Sequence, residues 1–330
     1  MNSVRAPSFR ESARTDLEFV RRWPHLPSDL TLDRVVGVAC DSRGYITVAH
    51  RGERPLLRLT PDGDFDCEIG AKHHRKTVAY DLRGPVPIPI AERNWLHGLH
   101  IDAWDNIWIT DVSRHLVMKF DPQGNCVHTL GVDGVPGCDR EHFYQPTHVC
   151  VLPSGEFFVT DGYGNSRVVK FSARGEFILE WGTRGVEPGQ FHTPHVVTVD
   201  DAGLLYIADR ENDRIQVFDA QGTFIQTWPN LHSVDGVFCG NDGLIYASAG
   251  IDHALLCLNR AGQLLDVWVK PEQLNYPHAI AVGTDGAFYV ADTGDRWVVH
   301  GNLPAEREML PRLGAEGSQL CKVIRRPKHR

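Results

Sequence analysis

The sequence predicts an all-β protein, a six-bladed β-propeller whose ring is closed by its own N-terminal strand. Three observations carry the prediction. One four-strand unit recurs six times, the last unit stops a strand short, and the N-terminal segment matches the missing strand. The unit is plainest in "FFVTDGYGNSRVVKFSARGEFILEWG", "LYIADRENDRIQVFDAQGTFIQTWP" and "IWITDVSRHLVMKFDPQGNCVHTLG". Each has a strand ending in Asp, a turn, a second strand, a Gly-containing turn and a third strand. Period-2 runs of Val, Ile, Phe and Tyr broken by D-G, Q-G or R-G turns are hairpin signals. "FYVADTGDRWVVH" and two weaker copies beginning at Ile46 and Ile245 complete the set. The spacing, about 40–50 residues, is that of propeller blades. A solenoid would also repeat, but it has no need of a strand exchanged between termini.

The ends set the expected boundaries. The last copy finishes at "WVVHGNLP", and "LEFVRRWP" near the N-terminus resembles the closing strands "FIQTWP" and "FILEWG". Sealing the ring this way removes an exposed sheet edge. A flexible segment is therefore expected over 1–16, one propeller over 17–303, and a solvated basic tail over 304–330. Net charge is −8 and the only basic run is that tail, "KVIRRPKHR", so nucleic acid is not an expected partner. No run reaches the ~18 apolar residues of a membrane span, and "MNSVRAPSFRESARTD" has no apolar signal core. Eight cysteines sit mostly inside strand patterns, with no C-x-x-C pair. A cytoplasmic protein with reduced thiols is expected, a monomer or weak homo-oligomer acting on a small molecule.

Reading one position around the ring locates a candidate site. The residues opening the first strand of each blade are Val36, His97, His148, His195, Asp235 and His278. Five positions later stand Asp41, Asp102 and Asp200 in three blades, and Gly240 and Gly283 in two more, which sets the register. First strands line the central channel, so these residues should face a common axis at one mouth. His97, His195 and His278 come from alternate blades, a third of a turn apart. Three converging imidazoles with an open axial position are a catalytic zinc-type ligand set, zinc or another divalent transition metal being the expected cofactor. For a lone histidine, ordinary channel lining would suffice. His148 and Asp235 fall between the three, as further ligands, as partners orienting an imidazole, or as substrate contacts. The turns after the second strands return to the same mouth and hold Arg51, Tyr163 and Arg210. An arginine there can bind a carboxylate, and a tyrosine beside cations can serve as a base. Asp111, Asp161, Asp209 and Asp292, with Arg167, Arg214 and Arg296, recur too regularly to be catalytic and are expected to hold turns and blades. The remaining histidines, His100 and His115 among them, lack the register and are expected mostly at the surface or in turns, with His192 close enough to His195 to line the mouth.

The segments "GVACDSRGYITVAHRG", "LHGLHIDAWDNIWITDV", "HFYQPTHVCV", "VTDGYGNSRVVKFS", "PGQFHTPHVV" and "IADRENDRIQVF" together resemble the NHL-repeat peptidyl-α-hydroxyglycine α-amidating lyases, the second catalytic half of the peptide-amidating enzyme. The resemblance spans about residues 17–300. It implies zinc on His97, His195 and His278, an active-site tyrosine at Tyr163, and functional arginines at Arg51 and Arg210. The implied reaction removes the proton of a hydroxyl on the carbon bearing an amide nitrogen, then breaks the C–N bond to give an amide and an aldehyde such as glyoxylate. Four departures accompany it. Ala279 stands where the family has a carboxylate for a structural calcium, whose other contacts would be the Val38 and Leu99 carbonyls, which argues against that calcium. Tyr276 replaces a methionine in the substrate pocket, and His148 replaces an aspartate. The positions matching the family's disulfides are Tyr144 with Gly164 and Tyr206 with Val217, and none is cysteine. A small N-(α-hydroxyalkyl) amide or another 2-hydroxylated amine derivative is the expected substrate. Two other classes fit less of the pattern: a metal-dependent propeller hydrolase of lactonase or esterase type, whose sites are usually carboxylate-rich, and a non-catalytic scaffold, which has no use for three alternate-blade histidines.

Overall fold

The period-2 runs fold as the alternation requires. In the second and third strands of a blade, such as Phe157–Asp161 and Arg167–Phe171, every residue is buried, because both faces pack on neighbouring blades. The outermost strand, Phe177–Trp181, alternates half-buried and exposed positions, with one face in water. The computed structural model describes residues 9–82, 86–294, 296–299, 307–310 and 320–328. They form six four-stranded antiparallel sheets and two smaller ribbons. The innermost strands of blades one to six are Gly37–Cys40, Leu96–Ile101, His148–Val151, Pro194–Val199, Val234–Cys239 and Pro277–Val282. Each contacts the next in order, and the sixth contacts the first, which closes the ring.

Closure uses both ends of the chain. Blade six runs outward from Pro277–Val282 to Phe288–Asp292, Leu320–Pro327 and Thr15–Phe19. The N-terminal strand is outermost, as expected, with Phe19 opposite Val323. Its neighbour is not. The sequence pattern placed the third strand at "WVVH" and a solvated tail beyond 304. Instead Arg296–Val299 pairs with Arg307–Leu310 in a separate ribbon, and the tail supplies the third strand. The reason lies in the side chains hidden between its charges. Leu320 and Val323 are fully buried, Lys322 pairs with Asp285 at 2.8 Å, and Arg326 with Glu18 at 2.7 Å. The guanidinium of Arg325 lies 4.9 Å from the Phe288 ring. The basic residues of the tail thus meet acidic and aromatic groups of blade six.

A second ribbon, Thr77–Asp81 with Ile88–Arg93, rises between blades one and two. Among the described residues, no helix is long and apolar enough to cross a membrane.

His115 is buried in one of the expected turns, whereas His100 is half-buried on the innermost strand of blade two, neither at the surface nor in a turn. Burial pushes each down to about 4. His115 sits at φ 61°, and its Nδ1 accepts the Gln145 backbone N–H at 3.1 Å. Asparagine tolerates that backbone region and offers an equivalent acceptor, so His115→Asn removes the titration while keeping the turn. The unfolded imidazole titrates near 6.5 and the folded one lower, so the unfolded state binds the extra proton. Stability linked to His115 is therefore present above pH 6.5 and lost as pH falls toward 4, at up to about 1.4 kcal/mol per pH unit. In urea unfolding, His115→Asn should match the wild type at pH 7 and outlast it increasingly from pH 6 to 4.5. Parallel pH profiles would refute this assignment.

Candidate active site

Backbone irregularities deliver the three histidines. The innermost strands of blades two, four and six shift register between Leu96 and Leu99, Pro194 and Val196, and Pro277 and Ala279. His97, His195 and His278 fall within those shifts, where a bulged residue leaves the ladder and is re-aimed. Buried aspartates at the ends of the second strands pin the approach. Asp209 accepts the His192 N–H at 2.7 Å, and Asp292 accepts the N–H groups of Asn275 and Tyr276 at 2.6 and 3.0 Å. Arg214 bonds Asp209 and the carbonyls of Val186, Glu187 and Gln190 in the loop before blade four. Arg167 does the same with Asp161, Asp139 and His142 before blade three. These are the turn-holding and blade-holding roles expected of Asp161, Asp209, Asp292, Arg167 and Arg214, while the side chain of Arg296 lies outside the described residues.

The three rings meet edge to face, with centroids 4.7, 4.9 and 4.9 Å apart and planes at 80–87°. Alternate blades supply imidazoles, and the blades between supply backbone acceptors. Nδ1 of His97 meets the Thr147 carbonyl at 2.7 Å, that of His195 the Asp235 carbonyl at 2.6 Å, and that of His278 the Val36 carbonyl at 2.7 Å. A carbonyl only accepts, so each Nδ1 carries the proton and each Nε2 presents a lone pair. Two of those atoms, on His97 and His195, are 3.2 Å apart. The Tyr163 hydroxyl oxygen lies 2.8 and 3.1 Å from the same two. One O–H proton cannot serve three lone pairs, and protonation of the rings is opposed. Burial holds His97 and His195 far below the ordinary imidazole range and His278 at about 3, with the arginines and neighbouring imidazoles adding to it. An excess of lone pairs over protons in a buried site fits a divalent cation. Among the described residues, these three are the histidine, cysteine or carboxylate group able to hold one, their ligand atoms all within 4.8 Å of one another.

Tyr163 arrives through "DGYGN", and its glycines are required by close approach. A Cβ on Gly162 would stand 2.1 Å from the Pro194 carbonyl, and one on Gly164 2.4 Å from the Tyr144 ring. Arg210 follows from the equivalent turn of blade four. Its Nη1 lies 3.4 Å from the Tyr163 oxygen and 3.5 Å from Asp235, and Nη2 lies 2.9 Å from Glu211. Burial works against its charge, but Tyr163, Glu211 and Asp235 outweigh that and hold it protonated. Asp235 accepts the Tyr276 hydroxyl at 3.2 Å, and burial raises its carboxyl to about 6 despite Arg210. Asp235 therefore serves the site twice, orienting His195 through its carbonyl and Arg210 through its carboxylate. Arg51 lies with its guanidinium 4.4 Å from the Trp95 ring centroid. Arg51, Tyr163, Arg210, Tyr276 and His278 line one cavity at the channel mouth.

His148 is not with them. In blade three the pairing starts at His148 opposite Thr160 without a shift, and Leu152 rather than Pro153 opens the turn that Asp200 opens in blade four. Thr147 is thus the ring-position equivalent, one residue earlier than the side-chain pattern indicated. His148 instead lines the channel on the far side of the histidines, with His100, Val38, Leu99 and Ala279. His192 does line the mouth, where its Nε2 accepts from Arg184 at 2.9 Å. The sequence pattern missed Trp95, Val112, Gln145 and the ribbon residues Tyr80, Leu82 and Ile90, which complete the pocket wall. The ribbon residues lie outside the repeat, whereas Val112 follows Asp111 as Arg210 follows Asp209 and was open to the same reading.

Three stretches, 143–171, 191–218 and 274–300, match the NHL repeat family model. The chain is 35% identical over 298 residues to peptidyl-glycine alpha-amidating monooxygenase A of Xenopus laevis, covering 82% of this chain but 31% of that protein. It thus spans about a third of that relative's length. It is 34% identical over 299 residues to peptidyl-alpha-hydroxyglycine alpha-amidating lyase 2 of Drosophila melanogaster, covering 83% of this chain and 72% of the fly protein. Among solved structures, a streptogramin B lyase has the same fold, with TM-score 0.60, 15% identity, and 94% and 98% of the two chains covered.

Proposed function

Because the chain belongs to the peptidyl-α-hydroxyglycine α-amidating lyase family, we propose that it is a metal-dependent lyase. In this reading it splits an N-acyl-α-hydroxyglycine or similar small α-hydroxylated amide into a primary amide and glyoxylate. The observation that carries this reading is the Tyr163 oxygen, set 2.8 and 3.1 Å from Nε2 of His97 and His195 and 3.4 Å from the Arg210 guanidinium. A proton acceptor stands beside the ligand cluster, with a fixed cation to stabilise charge on it.

His97, His195 and His278 would hold the metal, and zinc suits three neutral imidazoles. When bound it supplies Lewis acidity that favours loss of the substrate hydroxyl proton. Tyr163, as phenolate, takes that proton. The O–H electron pair becomes the C=O π bond, and the C–N bond breaks with its electrons passing to nitrogen. Tyr163 then returns the proton to nitrogen, so atoms and charge balance with no oxidant. Arg51, braced on Trp95, takes the carboxylate. Arg210 stays with Tyr163 and Asp235. Eight free cysteines suit the reducing, cytoplasmic setting expected from the sequence.

The test offers purified, zinc-loaded protein N-acetyl-α-hydroxyglycine and a set of γ-lactones side by side. Glyoxylate release in step with acetamide is expected. Lactone opening without glyoxylate would transfer the site to the hydrolases.

A further inference from the structure

Three guanidinium groups, Arg51, Arg184 and Arg210, line the cavity that holds Tyr163, and the only carboxylate among its described lining residues is Asp81. Arg210 is matched by Glu211 and Asp235. Arg184 meets no carboxylate among the described residues. Its Nη2 donates instead to Nε2 of His192 at 2.9 Å. A guanidinium only donates, so Nε2 accepts and Nδ1 carries the imidazole proton. His192 therefore orients the cation without neutralising it. The carboxylates beside His192 are committed elsewhere. Asp209 accepts from Arg214, Asn212 and Gln216, and Glu211 accepts from Arg210. The backbone beneath the pair is fixed. The Phe191 N–H donates to the Thr183 carbonyl at 2.8 Å, and the Gly185 N–H to the Phe191 carbonyl at 3.0 Å. The Phe191 side chain is fully buried. From blade four, Asn212 donates to the Gly185 carbonyl at 2.9 Å, and Gln216 bonds both Gly189 and Gln190. An exposed arginine is ordinarily solvated along its length. This one stands on a braced loop, with its tip tied to a half-buried imidazole inside the pocket.

We propose that Arg184 and His192 form a second anion subsite, and that the preferred substrates carry a carboxylate on their acyl group in addition to the one on the α-hydroxyglycine end. The inference rests on the lyase reading above, in which Arg51 takes the α-carboxylate. Arg51 follows the second strand of blade one, and Arg184 precedes the first strand of blade four. Those blades stand opposite in a ring of six, so the two cations reach the cavity from opposite sides. A carboxylate held at Arg51 leaves Arg184 to the other end of the substrate, beyond the amide nitrogen. The remaining guanidinium N–H groups and the His192 Nδ1–H have no acceptor among the described residues. Together they suit the two oxygens of a carboxylate.

The test measures glyoxylate release from N-succinyl-α-hydroxyglycine and from its neutral isostere, N-succinamoyl-α-hydroxyglycine. The zinc-loaded wild type is compared with Arg184→Gln and Arg184→Glu. The side chain is exposed, so the fold should survive, which a thermal melt verifies. The wild type should favour the succinyl substrate by about tenfold in kcat/KM, the low end for a charge-assisted contact because Arg184 is exposed. The preference should lie in KM rather than kcat. In Arg184→Gln the succinyl-to-succinamoyl ratio should fall to near one, and in Arg184→Glu below one. A wild-type ratio near one overturns the second subsite and leaves the lyase reading intact. A preference that Arg184→Gln retains overturns the role of Arg184, and equal losses on both substrates would assign this arginine to the α-carboxylate instead. Absence of glyoxylate from both substrates and from N-acetyl-α-hydroxyglycine overturns the lyase reading and the subsite together.

Discussion

His195→Ala is expected to abolish the proposed metal binding and, with it, the proposed turnover. The side chain is fully buried, and its Nε2 faces His97 and Tyr163. Outer partners of a metal ligand are typically worth about 10–100-fold in affinity, and a direct ligand among three should be worth more. Metal content by mass spectrometry, after dialysis against a weak chelator, should fall from near one per chain to near zero. His148→Gln is the control that makes the result specific. His148 is half-buried and belongs to the same strand position by side-chain pattern, but it lies on the far side of the triad. It should keep its metal. Retention of metal by His195→Ala, or its loss from His148→Gln, would mean that the ligands are misassigned.

Tyr163→Phe should retain the metal and lose the reaction. The change removes one oxygen and leaves the ring on Ala79, Trp95 and Val112. Loss of a positioned general base costs about 10²–10⁴ in rate, and that loss should fall on kcat, with KM changed far less. The split matters because a tyrosine that only packed the pocket would move KM and stability together. A variant within threefold of the wild-type kcat would place the proton acceptor elsewhere, with Asp235 the next group to examine. Asp235 reaches the same arginine and titrates near neutrality, at about 6.

Much of this molecule was legible in its sequence because its information is local and repeated. Apolar alternation, glycine turns and terminal aspartates recur at one spacing, and each copy folds by the same short-range rules. That was enough for six blades, for the N-terminal closing strand, and for His97, His195 and His278 on alternate blades. Tyr163, Arg51 and Arg210 followed because the turn after each second strand returns to the same mouth. What escaped was long-range or written in the backbone. The tail reads as basic and solvated because its charges outnumber its buried residues. Only blade six, with Asp285, Glu18 and Phe288 waiting, gives those charges partners. Residue type carries no sign of a bulge, so His148 looked equivalent to His195 when Thr147 was. The carbonyls of Val36, Thr147 and Asp235 leave no mark on the side-chain pattern, and they set every imidazole tautomer in the site. By itself the sequence determined the ring and the residue types at its mouth, because strand periodicity and turn chemistry act over a few residues. Which of those residues converge, in which protonation state, and beneath which apolar wall was decided by tertiary structure. Those depend on contacts between blades far apart in the chain.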